Sequence, residues 1–400
     1  MATAKNIQSP VTLHKDDSGR LLLQSGGDKT HLSSYWLRDN CRCSTCVNQD
    51  TLQRENELIQ LDLDVKPLDI IVEEDGVRVT WTDSHTSHHP WEYLLKALHK
   101  TPKAFETTTE HKLWDASIAS NPPEVAFETV MSGPSSAGMA VLTDAIMEYG
   151  FCFVSKTPAT PEATQELLES IGPIRHTHYG GFYDFKPDLA LADTAYTNLA
   201  LPAHTDNTYF SEPAGLQAFH MLSHTMGSHG PSDGQSLGGL SLLVDGYNVA
   251  NQLRRENETL YEKLAEVKVP YHASGNQDVA VTPYADFPVI STLAGQPHII
   301  RWNDPDRGIL PADVGRAWYE AAQKWASLVQ DKGNEYWFQL EPGRVLIFDN
   351  WRVLHGRSSF TGIRRMCGAY IGRDDFISRW KLSNFPRNDV IMANMHRRID

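Results

Sequence analysis

The sequence predicts a mainly β protein with covering helices, built as a jelly roll or barrel and preceded by a small β-rich module. Two observations predict this fold class. Short apolar runs of strand length recur through the second half of the chain, with turn residues and a few helical segments between them. The first hundred residues instead contain two hairpin-like stretches, VTLHKDDSGRLLLQSG and VEEDGVRVTW, the second turning at Asp75 and Gly76. A chain of 400 residues is long enough for one large core and a smaller module.

The domain boundaries are placed where the composition changes. Residues 1–105 form the N-terminal module, residues 106–127 form a connecting region that includes SNPP, and residues 128–400 form the large domain. The large domain begins with LTDAIMEYGFCFVSK, which predicts an amphipathic helix followed by a buried strand. TPEATQELLESIG then predicts a helix with Thr160 as N-cap and Gly172 after its end.

The rest of the large domain is predicted to consist of strands, with two helices among them. The helices are expected at residues 246–266 and 311–331. The strands are expected at GLQAFHML, LSLLVDG, HIIRWN, YWFQL, GRVLIFDN and RMCGAYIG.

Composition excludes several classes of function. A net charge of −14 without a basic cluster argues against a nucleic-acid partner. The chain has no run of 18 apolar residues, so we expect no membrane span, and MATAKNIQSP lacks the apolar core of a secretory signal. Five cysteines without a disulfide pattern favour a reducing compartment. We therefore expect a cytoplasmic protein, with the mitochondrion as the alternative.

Three cysteines crowd into the hexapeptide CRCSTC, and this spacing predicts a structural zinc site. Cys41, Cys43 and Cys46 supply three thiolates, and a closed tetrahedral site needs one further ligand. His85, at the end of the hairpin WTDSH, is the leading candidate for the fourth ligand. The neighbouring pair at positions 88 and 89 competes with it, because spacing alone does not exclude either histidine.

A second metal site is predicted from the stretch LPAHTDNTYF. On a strand, residues i and i+2 point to the same face, so His204 and Asp206 can converge on one ion. The leading third ligand is His355, which follows the strand GRVLIFDN. Two histidines and one carboxylate on one side of an octahedral iron leave three positions open for oxygen chemistry. A hydrolytic triad is the alternative, but the sequence has no GxSxG motif.

An arginine near the second site predicts an anionic co-substrate. In FTGIRRMCGAY, Arg364 shares one strand face with Tyr370, whereas Arg365 lies on the other face. If Arg364 points inward, its planar fork can bind a carboxylate through two parallel hydrogen bonds. Ser241, on the strand LSLLVDG, is a candidate for an additional hydroxyl contact. Solvated charges on an edge strand are the alternative interpretation of the arginine pair.

Several long motifs resemble the family of Fe(II)- and 2-oxoglutarate-dependent oxygenases that contains trimethyllysine dioxygenase and γ-butyrobetaine dioxygenase. YWLRDNCRCSTC and WTDSH resemble the family's N-terminal zinc module. DTAYTNLALPAHTDNTYF resembles its proximal iron-ligand segment, and FDNWRVLHGRSSFTG with CGAYIGRDD resembles its distal histidine and co-substrate strand. The resemblance spans nearly the whole chain and implies a double-stranded β-helix (jelly-roll) catalytic domain after a small β-rich zinc-binding domain.

The resemblance also implies the cofactors and their sites. It implies iron at His204, Asp206 and His355, 2-oxoglutarate at Arg364 with Ser241 beside it, structural zinc, and ascorbate as reductant. The implied partner is a small molecule with a trimethylammonium group, and a homodimer is a candidate assembly.

In this family a trimethylammonium group binds in an aromatic cage, because a quaternary cation is attracted by ring faces. Tyr179, Tyr183, Tyr196 and Tyr370 match the cage positions of the butyrobetaine enzyme. Tyr183 stands where that enzyme has tryptophan, so the neighbouring Phe182 is the alternative fourth wall.

Two polar residues bear on the choice of substrate. Asp193 stands where the butyrobetaine enzyme has a neutral amide, and a carboxylate there would pair with the α-ammonium of trimethyllysine; Asn303 is expected to hold the substrate carboxylate. We therefore expect hydroxylation of trimethyllysine at C3, with succinate and CO2 as co-products, the first step of carnitine biosynthesis. γ-Butyrobetaine hydroxylation is the alternative, and a non-catalytic methyl-lysine binding module is the alternative from another class.

Overall fold

The computed structural model describes residues 11–17, 20–98, 111–185, 198–226, 237–275 and 278–395. The chain divides into two compact units, Met1–Thr107 with Ile391–Asp400 and Thr108–Val390. The domain boundaries proposed from the sequence, at residues 105 and 127, stay a prediction. Within the described ranges, none of the helices combines the length and apolarity that a membrane crossing requires.

The first unit contains two three-stranded antiparallel sheets. Their strands are β1 (Thr12–Lys15), β2 (Leu21–Ser25), β3 (Asp28–Leu32), β4 (Pro67–Val72), β5 (Gly76–Trp81) and β6 (Thr86–Pro90), with helices α1 (Ser34–Asp39) and α2 (Trp91–Leu98) and a 3-10 turn at Leu58–Gln60. β1 pairs with β2 and β4 pairs with β5, so both predicted hairpins are confirmed. Alternation along β5 buries Val77, Val79 and Trp81 in the core of this unit.

The second unit contains the remaining strands and most of the helices. The strands are β7 (Glu124–Ala126), β8 (Phe151–Ser155), β9 (Tyr183–Phe185), β10 (Leu201–His204), β11 (Leu216–Thr225), β12 (Ser241–Asp245), β13 (Lys268–Val269), β14 (Phe287–Pro288), β15 (Ile290–Leu293), β16 (Gln296–Ile300), β17 (Tyr336–Phe338), β18 (Arg344–Asp349), β19 (Val353–Arg357), β20 (Ile363–Gly368) and β21 (Tyr370–Ile371). The helices are α3 (Phe127–Val130), α4 (Ala137–Tyr149), α5 (Pro161–Ile171), α6 (Gly246–Glu256), α7 (Glu258–Glu266), α8 (Arg316–Val329) and α9 (Arg373–Asn384), with 3-10 turns at Ala116–Ser120 and Asp304–Asp306. The last helix, α10 (Arg387–Met395), begins in this unit and ends in the chain segment assigned to the first.

Two sheets form the centre of this unit. One has the strand order β10-β19-β12-β17, and the other has the order β7-β8-β18-β11-β20-β9 with β21 beside β11. All of these pairs are antiparallel except β7 with β8. Leu243 and Val353 of the first sheet share a hydrophobic cluster with Leu346 and Phe348 of the second, so the sheets pack face to face. This is the predicted jelly-roll arrangement.

Helices cover the outer faces of both sheets. On β18, Val345 and Ile347 point outward into a cluster with α4, α5 and α9, whereas Leu346 and Phe348 point into the central core. Helices α6, α7 and α8 cover the four-stranded sheet in a separate cluster. The predicted central sheets with covering helices are therefore confirmed for this unit, but among its described residues the helices contain more residues than the strands, so it is not mainly β.

One helix prediction was wrong. Residues 246–266 form two helices, because Asn257 has an extended backbone and its side chain accepts a hydrogen bond from the main-chain N–H of Leu260. Asparagine competes in this way with the helical backbone and favours an N-cap over a helix interior. The helix predicted at 311–331 is shorter, as α8. The predicted caps of α5 are confirmed, with Thr160 accepting from Ala163.

Candidate active site

The two central sheets hold a pocket between them, and the predicted metal ligands lie in it. Antiparallel pairing of β10 with β19 places His204 directly opposite His355, and their ring centroids are 4.4 Å apart. Asp206 lies just beyond the end of β10. Its Oδ1 is 3.2 Å from His204 Nε2 and 3.6 Å from His355 Nε2. The structure thus brings together three residues separated by up to 151 positions in the chain.

These distances fit a shared metal ion. Ligands at about 2.1 Å and at right angles around one metal have donor atoms about 3.0 Å apart. His204 Nδ1 donates to the Pro202 carbonyl at 2.8 Å, which leaves Nε2 as the lone-pair nitrogen that faces Asp206. The donor set therefore has the spacing that a metal requires, and His204 has the required tautomer.

Two hydrogen-bond donors hold the second carboxylate oxygen of Asp206, and the sequence predicted neither of these contacts. Gln217 Nε2 donates to Oδ2 at 2.8 Å, and the Tyr370 hydroxyl donates to the same oxygen at 2.6 Å. Asn350 fixes the main chain of Asp206 from both sides, accepting from its N–H at 2.8 Å and donating to its carbonyl at 2.9 Å. Oδ1 is thereby turned toward the histidines.

Electrostatics favour the metal-binding protonation state at Asp206 and His355, whereas Asp206 raises the pKa of His204 against the effect of burial. Burial by itself raises the pKa of Asp206, but the neighbouring His355 and His204 and the hydrogen bond from Tyr370 hold that pKa well below its usual range. Burial lowers the pKa of His355 to about 3, and His204 adds repulsion. An ionised carboxylate and a neutral imidazole are the forms that coordinate a cation.

Arg364 lies on the wall of the same pocket. Its side chain is 4% exposed, its Nε has no hydrogen-bond partner, and no acidic side chain in the described part of the chain pairs with it. Burial, followed by repulsion from Arg357, lowers the pKa of Arg364 to about 10. By contrast, Arg365 points to the opposite face of β20, where its guanidinium pairs with Asp184 at the surface. Ser241 is buried and also lines the pocket.

Aromatic side chains form another part of the pocket wall. Of the four predicted cage residues, Tyr179, Tyr183 and Tyr370 line the pocket, and the rings of the last two are 6.0 Å apart at an interplanar angle of 69°. Tyr196 lies outside the described residues. Tyr209 was not predicted, yet it lines the pocket and its hydroxyl is 3.1 Å from that of Tyr179.

The two candidates for the fourth wall occupy different places. Tyr183 lines the pocket, and its hydroxyl donates to the Ala218 carbonyl at 2.6 Å. Phe182 instead packs against the hydrophobic cluster of α4, α5 and α9.

The polar side of the pocket contains Asn303, which was predicted, and Asp306, which was not. Asn303 Nδ2 donates to Asp306 Oδ2 at 2.7 Å, and the Thr208 hydroxyl donates to the same oxygen at 2.9 Å. Asp193, the predicted partner of a substrate ammonium, lies outside the described residues.

The first unit holds the cysteine cluster. Cys41, Cys43 and Cys46 follow α1, and their sulfurs lie 3.3, 3.6 and 3.6 Å from Nε2 of His85, in the β5–β6 turn. Ligands in a tetrahedral zinc site, with Zn–S about 2.3 Å and Zn–N about 2.1 Å, are about 3.6 Å apart. The four donor atoms therefore fit one zinc ion.

The two competing histidines lie elsewhere. His88 is 3.2 Å from Asp75, and His89 is hydrogen-bonded to the Ser87 hydroxyl at 2.8 Å. Arg38 stabilises the cysteine cluster through two contacts. It donates to Cys46 Sγ at 3.6 Å, and it pairs with one carboxylate oxygen of Asp83, whose other oxygen accepts the main-chain N–H of His85.

A jelly-roll core that presents two histidines and one carboxylate to a pocket between its sheets defines a metal-dependent oxygenase of the facial-triad class. Family comparison agrees with this class. Residues 117–370 match the model of the taurine catabolism dioxygenase TauD, TfdA family, and residues 11–95 match the model described as gamma-butyrobetaine hydroxylase-like, N-terminal.

Comparison with individual relatives identifies the family within this class of oxygenases. The chain is 48% identical to a trimethyllysine dioxygenase of Neurospora crassa over 92% of this chain and 83% of the relative. It is 35% identical to one of Meyerozyma guilliermondii, over 92% and 94%, and 34% identical to the mitochondrial enzyme of Mus musculus, over 95% and 88%. The chain belongs to the trimethyllysine dioxygenase family.

Proposed function

We propose that the chain hydroxylates N6,N6,N6-trimethyllysine at C3, consuming O2 and 2-oxoglutarate at an Fe(II) site and giving succinate and CO2. The observation that carries this proposal is the convergence of His204, Asp206 and His355 beside Arg364, a buried cation without an acidic partner in the described part of the chain. The substrate follows from the family, since the relatives compared above are all named trimethyllysine dioxygenases. γ-Butyrobetaine hydroxylation and passive binding have less support.

His204, Asp206 and His355 would hold the iron. Because the pKa of Asp206 is lowered and that of His355 is lowered to about 3, both ligands are already in the metal-binding protonation state at neutral pH. Three protein ligands leave room for the co-substrate and O2, and the bound iron supplies oxygen activation.

Arg364 would bind the carboxylate of 2-oxoglutarate that is distant from the metal. Its guanidinium fork matches a carboxylate geometrically, and the pairing would compensate a buried charge. Ser241 would add a hydroxyl to the same oxygen pair. This contact fixes the direction in which the co-substrate approaches the metal ligands.

The tyrosine rings would hold the trimethylammonium group. Tyr179, Tyr183 and Tyr370 offer ring faces within one pocket, and Tyr196 is proposed as a further wall. Asp193 would pair with the α-ammonium and Asn303 would hold the α-carboxylate. Holding both ends of the substrate determines which carbon lies nearest the metal, which is a positioning effect.

Turnover tests the proposal directly. Purified protein with Fe(II), 2-oxoglutarate and ascorbate is incubated with trimethyllysine or with γ-butyrobetaine, and hydroxylated product and succinate are measured by mass spectrometry. We expect hydroxylation of trimethyllysine and loss of succinate formation in His204→Ala. Preferred turnover of γ-butyrobetaine would overturn the substrate assignment, and full activity in His204→Ala would overturn the metal site.

The proposed role of Asp193 is tested by the same assay. A charge-assisted contact in a desolvated pocket contributes about 2–4 kcal/mol, so Asp193→Asn should lower kcat/KM for trimethyllysine by roughly 30-fold or more. Turnover of γ-butyrobetaine, which has no α-ammonium, should stay unchanged or rise. Equal losses on both substrates would mean that Asp193 shapes the pocket without reading charge.

For the first unit we propose a structural zinc ion on Cys41, Cys43, Cys46 and His85. Residues 1–105 would then be the zinc-binding domain, residues 106–127 the connecting region, and residues 128–400 the double-stranded β-helix domain. Burial raises the pKa of the Cys41 thiol to about 12, and a bound cation would remove that penalty on the thiolate. Elemental analysis should find one zinc per chain besides the iron.

Three further parts of the proposal concern the protein in the cell. We propose ascorbate as the reductant that sustains turnover, to be tested by omitting it. We propose a homodimer, to be tested by light scattering. We propose a cytoplasmic location. The mitochondrion is the alternative, because the mouse relative is named as a mitochondrial enzyme. Fluorescence microscopy of the tagged protein in its native cell distinguishes the two locations.

A further inference from the structure

Tyr370 is both a wall of the aromatic pocket and a hydrogen-bond donor to a metal-ligand residue. Its ring lines the pocket, while its hydroxyl reaches Asp206 Oδ2 at 2.6 Å. Gln217, on the neighbouring strand β11, donates to the same oxygen at 2.8 Å. Gln217 and Tyr370 are 2% and 6% exposed, so water does not replace either donor readily. Together they form a pair of donors on one side of the carboxylate.

We propose that Gln217 and Tyr370 act as positioning residues that hold Asp206 as a one-oxygen metal ligand and connect the substrate pocket to the metal site. This inference rests on the proposed function of His204, Asp206 and His355. Without the two donors, the carboxylate would rotate more freely, and Oδ1 would no longer be held facing the two histidine nitrogens.

The geometry of the carboxylate supports this division of its oxygens. Oδ1 faces the two histidine nitrogens at 3.2 and 3.6 Å, whereas both neutral donors converge on Oδ2. The amide oxygen of Gln217 is also buried, and it has no hydrogen-bond partner among the described residues. A donor on a bound ligand would satisfy it, so the amide is placed to contact both Asp206 and the pocket contents.

Tyr370 gives the inference a functional consequence. A trimethylammonium group on the ring face would restrict the same side chain whose hydroxyl orients Asp206. Occupancy of the pocket and the geometry of the metal ligand are therefore joined through one residue. Outer hydrogen-bond partners of metal ligands typically contribute 10–100-fold to metal affinity or activity.

Metal affinity measured without turnover tests the inference. Mn(II) binding to the full chain is measured by electron paramagnetic resonance for the wild type, Gln217→Met and Tyr370→Phe, with circular dichroism as a check of folding. We expect each variant to bind Mn(II) roughly 10- to 100-fold more weakly. The matched control is Tyr183→Phe, which removes a pocket hydroxyl that donates to Ala218 instead, and its Mn(II) affinity should equal that of the wild type.

A kinetic measurement separates positioning from substrate contact. Tyr370→Phe keeps the ring, so KM for trimethyllysine should stay near the wild-type value while kcat falls and more succinate forms per hydroxylated product. His204→Ala should abolish Mn(II) binding; if it does not, the proposed function itself fails. If His204→Ala loses the metal but Gln217→Met and Tyr370→Phe bind it within threefold of the wild type, the inference is overturned. An equal loss in Tyr183→Phe would also overturn it.

Discussion

Replacing Arg364 by methionine is expected to have opposite effects on stability and on co-substrate binding. In the ligand-free protein the guanidinium is buried, and no acidic side chain of the described residues compensates it. Burial lowers its pKa from the usual value to about 10. A depressed arginine pKa means that the folded state disfavours the charged form, so at pH 7 the charge opposes folding. The shift corresponds to about 3 kcal/mol as an upper figure.

Arg364→Met should therefore make the ligand-free protein more stable, by on the order of 1–3 kcal/mol. Co-substrate binding should change in the other direction. Removing one partner of a buried charge pair costs about 2–5 kcal/mol, which is roughly a 30- to 4,000-fold increase in the Kd for 2-oxoglutarate. Arg364→Lys keeps the charge but loses the planar fork, so its affinity for 2-oxoglutarate should lie between those of the wild type and the methionine variant.

The assay is chemical unfolding with and without saturating 2-oxoglutarate, in the presence of Mn(II). Wild-type protein should gain about 2.7 kcal/mol when 2-oxoglutarate is at one hundred times its Kd, and Arg364→Met should gain little. Arg365→Met is the matched control, because its side chain points to the surface on the other face of the strand. The reasoning is refuted if ligand-free Arg364→Met is less stable than the wild type, or if it keeps the wild-type response to 2-oxoglutarate.

Three further predictions concern the stability of the fold. Cys43→Ser should lose about one zinc per chain and melt at lower temperature, whereas Cys152→Ser should keep its zinc, as elemental analysis will show. Burial lowers the pKa of His220 to about 4, so the neutral ring contributes stability above pH 6.5 that is lost as the pH falls toward 4. Between pH 7 and pH 5, the free energy of unfolding measured in urea should therefore fall by about 2 kcal/mol more in the wild type than in His220→Gln. The ion pair between Asp245 and Arg352 is fully buried at 2.7 Å, so Arg352→Met should cost about 3–5 kcal/mol in denaturant unfolding, and adding Asp245→Asn should not double that loss.

The hydrogen bonds of His220 explain why protonation of its ring should destabilise the fold. The main-chain N–H of Gly343 donates to its Nε2 at 3.0 Å, so this nitrogen carries the lone pair. The other nitrogen then donates to the Thr164 hydroxyl at 2.7 Å, and that hydroxyl donates onward to the Thr160 carbonyl. A second proton on Nε2 would face a donor instead of an acceptor, which is why protonation opposes the fold.

Local patterns in the sequence predicted the elements that depend on neighbouring residues. Hairpin turns, the caps of α5 and the alternation that separates Arg364 from Arg365 all follow from chemistry within a few positions. The break at Asn257 was missed because asparagine also occurs inside helices. Its signal was present, since Asn257-Glu258 is a favourable start for a new helix.

The hydrogen-bond partners of Asp206 were harder to predict because they come from distant parts of the chain. Asn350 lies 144 positions away and Tyr370 lies 164 positions away, so no local pattern joins them to Asp206. Gln217 did leave a signal. It is an amide in the otherwise apolar start of β11, and a buried polar side chain in such a strand requires a partner.

The path of β20 past β11 explains how Tyr370 reaches Asp206. A Cβ atom on Gly368 would lie only 2.0 Å from the Ala218 carbonyl, so glycine is needed for the close approach of the two strands. Ala218 and Ala369 then continue the pairing, since the N–H of Ala218 donates to the Ala369 carbonyl at 3.1 Å. β21 follows at once, and Tyr370 enters the pocket on the same side as Arg364. The placement of Arg364 and of Tyr370, which donates to Asp206, thus depends on the register of β20 and β21 against β11, and Gly368 allows β20 to lie close enough to β11.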